Sequence, residues 1–312
     1  MAAATFDLVV QRVKQQLLGY TRDQANISYL VAPMSDTDTT FMVDPDTVTN
    51  LSRGVVEIDD EMILLKTYDR NTGTCTVFGG ASGTGRGAEG TDRAAHTTDS
   101  IVTADPRYPV SRIREAINDT IAAVYPDIWV FGEFEFNYVA ARYEYPLPTE
   151  VEDVYRVTWN TIGPSAIWRP ARTYRYNPQA STTPGQVKPT PTPTGKTIQI
   201  LDGGIVPGRA IRVTYTTKPS QLVLGSDLFT STGLEDRMID MIVYGACWRL
   251  LPGWEAGRLQ QQSIESTERA PLVPTGAAND ASQYYLGLYQ RRLDEERDRL
   301  FRLYDNFQTF SS

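Results

Sequence analysis

Along the chain the spacing of hydrophobic positions changes character four times. Between Thr5 and Leu18, the residues Phe6, Val9, Val10, Val13 and Leu17 recur at helical spacing, Thr5 stands at a capping position and Gly19 follows the end. This predicts an amphipathic helix. From about 27 to 104 the apolar residues come in short bursts, among them "ISYLV", "GVVEI", "EMILL" and "CTVF", separated by turn signals such as "RNTG". Such a pattern predicts a small all-β unit, a barrel or a sandwich. Helical spacing returns over 109–125, where Val110, Ile113, Ile117, Ile121 and Val124 form one stripe between Pro109 and Pro126. Alternation over about 133–223, in "FEFNYV", "KTIQIL" and "RAIRVTYTT", predicts a second β region. Inside it, residues 177–196 repeat Pro and Thr. Few backbone donors and a bias toward extended, polyproline-like chain make this a projecting loop rather than a domain linker.

The last third reads as helical. Thr232 with Glu235 spells a capping box opening a helix that Pro252 closes, and Asp280 with Gln283 opens a long helix to about Phe307. Tyr285, Tyr289, Leu293, Leu300, Tyr304 and Phe307 share one face of it, while Arg291, Asp294, Glu295, Arg297, Asp298 and Arg299 mix both signs on the others. An amphipathic stripe needs a cover, and these stripes are too long for a small β unit to cover alone. The expected fold class is therefore α+β: a helical bundle built from both chain ends and the middle, with two inserted all-β units. Its boundaries are 1–26 for the N-terminal bundle helix, 27–104 for an inserted β-barrel-like module and 105–132 for the middle helix. Residues 133–225 make the second β unit, with the loop 177–196, and 226–312 the C-terminal bundle helices and tail.

Charge narrows the functional classes. A net charge of -8 argues against gripping nucleic acid along its backbone, since that grip comes from clustered Lys and Arg. An acidic wall would instead let a duplex slide past. Cys75 and Cys247, far apart in sequence, read as buried reduced thiols. No run approaches the ~20 apolar residues of a membrane span, and the N-terminus has no signal-peptide pattern. The expectation is a soluble protein made in a cytoplasm.

One stretch invites a catalytic reading. In "GASGTGRGAEGTDRAAH", Gly85, Gly87 and Gly90 spell G-x-G-x-x-G, and His96 is the only histidine of the chain. A dinucleotide site requires the glycines to leave a strand and open a helix, whose N-terminus faces the pyrophosphate. Here "TDRAAHTTDSIVTADP" follows, with no helical spacing. A lysine phosphate loop fails too, because Arg86 and Gly87 stand where Lys and Ser or Thr are needed. Ser82 and Ser100 lie near His96 but not on a nucleophile elbow, and one His with two scattered Cys makes no zinc site. The glycines read as turn residues needing positive φ, and His96 as a loop anchor held by hydrogen bonds. The carboxylates Asp59, Asp60 and Glu61, like Glu150, Glu152 and Asp153, read as solvated groups in turns and exposed loops. No catalytic residue, cofactor or metal is expected.

The same stretch resembles a β module of tailed-phage virion proteins, in which a hairpin carrying E-I-D-D-E precedes G-R-G-x-x-G-T-x-x-A-x-H and a closing strand. The matching residues are Glu57, Ile58, Asp59, Asp60 and Glu61, then Gly85, Arg86, Gly87, Gly90, Thr91, Ala94 or Ala95, and His96. The chain departs from the pattern at Asp99, where the module often has Gly. Further along, "YPVSRIREAINDTIAAVYPDIW", "YEYPLPTEVEDVYRVTW", "PGRAIRVTYTTKP" and "LEDRMIDMIVYGACWRLL" resemble a phage head-to-tail adaptor.

That resemblance implies a structural virion protein, made in the host bacterial cytoplasm, that catalyses nothing. It implies a ring, usually of twelve copies, beneath the portal, extending the DNA channel and offering a platform to the next neck or tail protein. Double-stranded DNA would pass without sequence-specific binding. Phe307 and Phe310 become candidate portal-docking anchors, and Arg291, Arg292, Glu295 and Arg299 a candidate subunit interface. The alternatives are another tail or baseplate protein, a carbohydrate-binding module stacking sugars on its many aromatics, and a nucleotide-binding enzyme.

Overall fold

The computed structural model describes residues 4–18, 27–45, 51–79, 84–140, 142, 144–161, 167–179, 195–264 and 277–304. Helix α1 (Phe6–Leu18) is followed by strands β1 (Ile27–Tyr29), β2 (Thr40–Met42), β3 (Gly54–Ile58), β4 (Glu61–Asp69), β5 (Thr74–Val77) and β6 (Ile101–Ala104). After helix α2 (Val110–Ala123) come β7 (Val130–Asn137), β8 (Glu144–Pro146), β9 (Asp153–Asn160), β10 (Trp168–Pro170), β11 (Tyr174–Asn177), β12 (Thr197–Ile200) and β13 (Ala210–Thr217). Helices α3 (Ile239–Ile264) and α4 (Ala277–Leu303) end the described chain.

These elements fall into two compact units. One contains the described residues of 5–120 and 240–289, the other those of 121–239 and 290–304, with Ala4.

In the first unit, β1-β6-β3-β4-β5-β2 form one antiparallel sheet. It curls into a half-barrel until its edge strands meet at a bridge between Leu30 and Val43. Val31 N–H donates to Met42 O at 2.9 Å and Asp44 N–H to Tyr29 O at 3.1 Å, so the edges satisfy each other. Alternation turns Leu30, Val43, Val56, Ile58, Ile63, Leu65, Cys75, Val77 and Val102 into a core that the sheet makes by itself. Glu57 of β3 is buried and accepts the first N–H of α2, from Val110, while Lys14 of α1 lies 3.8 Å away. Burial pushes the Glu57 carboxyl up, against the pull of Lys14 and the Val110 bond. Arg114 of α2 pairs with Asp7 and Asp60 at 2.8 and 2.7 Å and lies over the Phe6 ring.

In the second unit, β10-β9-β13-β7 form a four-stranded antiparallel sheet and β11-β12-β8 a three-stranded one. Tyr145, Leu147, Val157, Ile198, Ile200, Ile211, Val213 and Tyr215 bring both into one core. At Gly132 a Cβ would lie 2.4 Å from the Tyr215 ring, so only glycine lets that ring lie flat across β7.

The expected helical bundle is not what the chain makes. The described residues hold thirteen strands in three sheets and four helices, and the closest backbone-to-backbone packing is strand on strand. A stripe such as Val9, Val10 and Val13 on α1, or Ile113 and Ile117 on α2, tells that one face is buried, not that a helix buries it. The polar partners of α1 and α2 on β3 and the turn after it show sheet elements meeting these helices.

Three helix limits also shift. Asp280 does not open the last helix: α4 begins at Ala277 and Asp280 lies inside its first turn. Thr232 makes no capping box: its hydroxyl donates to Phe229 O at 2.7 Å and accepts from Leu234 N–H at 3.1 Å, holding a turn at Gly233. Glu235 is taken up by Arg237 and Arg299, and α3 starts only at Ile239. Pro252 lies inside α3 rather than closing it. A proline removes one internal hydrogen bond, and a long helix carries that loss.

Candidate functional site

The G-R-G stretch builds a closed network of buried charge, not a phosphate cradle. Gly85 continues the strand pairing, with its N–H to Phe78 O at 2.9 Å and its carbonyl accepting from Leu64 N–H at 2.7 Å. Gly87 then turns with φ 59°, and a short 3-10 turn, Ala88–Gly90, follows instead of an α-helix. The turn aims Arg86 inward. Arg86 is 3% exposed and Glu61 1%, and they pair through two bonds: Nε to Oε1 at 2.7 Å and Nη2 to Oε2 at 2.9 Å. The remaining guanidinium donors reach Ser35 O, Asp38 O and Ala94 O at 2.9, 2.9 and 2.7 Å. Glu61 also accepts from Gly87 N–H at 2.8 Å and Ala94 N–H at 3.0 Å.

His96 closes the network. Its Nε2 lies 3.0 Å from Glu61 Oε2 and its Nδ1 2.8 Å from Asp59 Oδ2, while its backbone bridges to Met34 at 2.8 and 2.9 Å. Burial works against the charged ring, but the bonds and charges of Glu61 and Asp59 outweigh it and raise its pKa above the usual 6.5. Burial likewise works against the Glu61 anion, yet the bonds from Arg86, His96, Ala94 and Gly87 hold it well below the usual carboxylate range. A buried carboxylate with this many donors is stabilised as an anion and has no lone pair to spare for proton transfer. Thr91 adds a last tie, accepting from Met62 N–H at 3.0 Å and donating to Ala88 O at 2.9 Å.

The reading of Asp59, Asp60 and Glu61 as three solvated acids is thus corrected: Glu61 starts β4 facing inward and is the centre of the network. The sequence signal for it was Arg86 between two glycines, a charge with no phosphate to bind. Asp99, at the position where the resembling module has Gly, adopts φ 66° and keeps the left-handed turn.

In the other unit, the second half of α4 presents the charged residues. Arg291 is 77% exposed and pairs with Glu295 at 3.2 Å, and Arg292 meets the same carboxylate at 2.8 Å. Arg299 is instead turned to Glu235 at 2.7 Å and Glu296 at 3.5 Å within the unit. Beyond it, Phe301 meets Trp129 edge-on at 5.3 Å, and Tyr304 meets Phe131 at 4.7 Å. Trp129, Phe301 and Tyr304, with Tyr125, Pro126, Asp153, Tyr155 and Thr216, line a cleft of about 300 Å³. Phe307 and Phe310 lie outside the described residues.

The family model described as SU10 adaptor protein matches residues 91–306, more than two thirds of the chain. The chain belongs to the SU10 adaptor protein family. No curated protein matches the chain. Membership makes this a phage adaptor with a structural role in the virion.

Burial pushes the Cys75 and Cys247 thiols up to about 12, so neither supplies a thiolate at neutral pH. Among the described residues no group of three His, Cys, Asp or Glu could hold a metal, and no helix is long and apolar enough to cross a membrane. The aromatics of "FEFNYVAARYEY" and "TWNTIGPSAIWRPARTYRY" mostly pack inward: Phe134, Phe136, Tyr138, Tyr145, Trp159, Tyr174 and Tyr176 belong to or lean on the core. Trp168 is covered by the Arg212 guanidinium at 4.2 Å.

Proposed function

We propose that this adaptor assembles as a ring, of twelve copies, beneath the portal at one capsid vertex. The ring extends the DNA channel and offers its far face to the next neck or tail protein. The family match over residues 91–306 is the observation that carries this reading. The acidic balance of the chain supports a channel past which DNA slides without sequence-specific contact. The exposed Arg291 and Glu295 and the half-buried Arg292 on α4 offer both signs of charge to a neighbouring subunit, with Arg299 locked on Glu235 behind them. Phe307 and Phe310, which follow the described part of that helix in sequence, are the proposed anchors on the portal, since large apolar side chains dominate small docking sites. His96 serves as the anchor of the G-R-G loop rather than in any reaction.

Negative-stain imaging of the purified protein, alone and mixed with portal, tests the reading. An annulus stacked on the portal is the expected result. Dispersed monomers in both samples contradict it.

A further inference from the structure

The four-stranded sheet carries opposite charge at its two ends. Its order is β10-β9-β13-β7, and among the described residues no strand lies beyond β7 or beyond β10. The register sets a row across it: Glu133 of β7 stands opposite Thr214 of β13, and Thr214 opposite Arg156 of β9. Directly opposed residues of antiparallel strands share a face, so Glu133 and Arg156 lie on the same side of the sheet. The β9–β10 pairing runs from Asn160 and Trp168 to Thr158 and Pro170, and Ala171 N–H still donates to Val157 O at 2.9 Å. The next place in that register, beside Arg156, falls to Arg172. A second row on the same face runs Glu135, Arg212, Thr158, Pro170.

Glu133, Glu135, Arg156, Arg169 and Arg172 are all exposed. The two acids share one cation: Arg212 reaches them at 3.7 and 2.7 Å while its guanidinium also covers the Trp168 ring. At the other end, Arg156, Arg169 and Arg172 make no ion pair among the described residues. The carboxylate of Asp202 is taken up by the backbone N–H groups of Arg172 and Gly204, at 3.1 and 3.2 Å. One edge of the sheet therefore has acids short of cations, and the other has arginines without acids. Pairing like with like is disfavoured on both sides. Two β7 edges would bring Glu133 and Glu135 against their own copies, and two β10 edges would do the same to the arginines. Only the unlike edges attract.

We infer that the acidic β7 edge of one copy seats against the arginine-lined β10 edge of a second copy, so that the sheet is continued from subunit to subunit. The row that one copy leaves at Arg172 is taken up by Glu133 of the next. Unlike edges on one chain make a head-to-tail contact, the kind that closes into rings. Side chains carry most of it. Thr161 N–H donates to Ile167 O at 3.0 Å, so Ile167 and Ala171 turn their backbone groups to β9, and alternation turns those of Trp168 and Pro170 outward. Pro170 has no N–H, which keeps β10 from templating a long ladder and leaves charge to choose the partner. The inference rests on the ring reading in needing a second copy.

The test uses the full chain and charge reversal, with assembly followed by light scattering. Glu133→Lys alone and Arg172→Glu alone should each raise the concentration needed for assembly about tenfold. The chain carrying both reversals meets its neighbour with the charges exchanged and should recover most of that loss. Glu133→Cys combined with Arg172→Cys should give an inter-copy disulfide ladder on a non-reducing gel, since Cys75 and Cys247 are buried. Single reversals that assemble like the wild type, or a double reversal that recovers nothing, overturn the edge contact while leaving the ring standing. So does an Arg172→Glu chain that assembles normally but no longer retains duplex DNA at low salt, which would assign the arginines to phosphate. A wild-type chain that stays monomeric, even with portal present, overturns both the contact and the ring.

Discussion

The two larger sheets of this adaptor solve the edge problem in opposite ways. The six-stranded sheet curls until β1 and β2 bond to each other at Leu30 and Val43, and the buried Glu61–Arg86–His96 network ties its loops down. The four-stranded sheet ends at β7, eight residues long, with no strand beyond it among the described residues. A sheet that satisfies its own edges has little left to offer a partner through its backbone, while one that leaves an edge open retains a row of donors and acceptors for assembly. The difference separates a unit built for its own integrity from one that can be completed from outside.

Breaking the closed side should have the largest effect. Arg86→Met leaves the Glu61 carboxylate buried without its main partner, and should cost about 3–5 kcal/mol. Urea unfolding followed by hydrogen exchange should report the loss in β3 and β4, with β9 and β13 unaffected. Next comes Gly87→Ala. Its φ of 59° and an added Cβ 2.7 Å from Thr91 O should cost about 1–3 kcal/mol in the same strands.

pH should act on the closed side from both directions. The His96 pKa is raised by folding, so its contribution is fully present below the unfolded value of 6.5 and is lost as pH rises through the folded one. The Glu61 pKa is depressed, so its contribution is present above the unfolded 4.5 and is lost as pH falls toward the folded value. Thermal melts across pH should therefore show the contributions of these two groups overlapping between those two unfolded values, and His96→Asn should reduce the decline on the alkaline side, leaving the part due to the raised Glu57 carboxyl. On the open side, Arg212→Ala removes a partly exposed pair with Glu135 and a contact with Trp168, and should cost no more than about 1 kcal/mol in a denaturation curve.

What was legible in the sequence follows the range of each interaction. Helices α1 and α2 and the β-strand bursts show in local periodicity, because one buried face imposes its spacing on a short stretch. What covers such a face is a long-range fact, and the expected helical bundle failed there: β3 supplies Glu57 to the start of α2 from 53 residues away. Pro252 and the Thr232–Glu235 pair failed for a related reason. Both are local stop and start rules: the Phe229 turn and Arg299 claim Thr232 and Glu235 first, and α3 runs on through Pro252. The G-R-G stretch was legible in half. The missing helix ruled out a phosphate cradle, but that Arg86 would turn inward to Glu61 depended on a strand 25 residues earlier facing the core.

Hydrogen–deuterium exchange on unassembled and assembled protein tests the contrast between the two sheets most directly. The account predicts that amides of Leu30, Val31 and Asp44 are protected in both states, while those of Glu133, Glu135 and Asn137 exchange freely in the unassembled protein. An outer edge of β7 already protected in the unassembled protein would contradict it, as would amides of Leu30, Val31 and Asp44 that exchange as fast as those of β7.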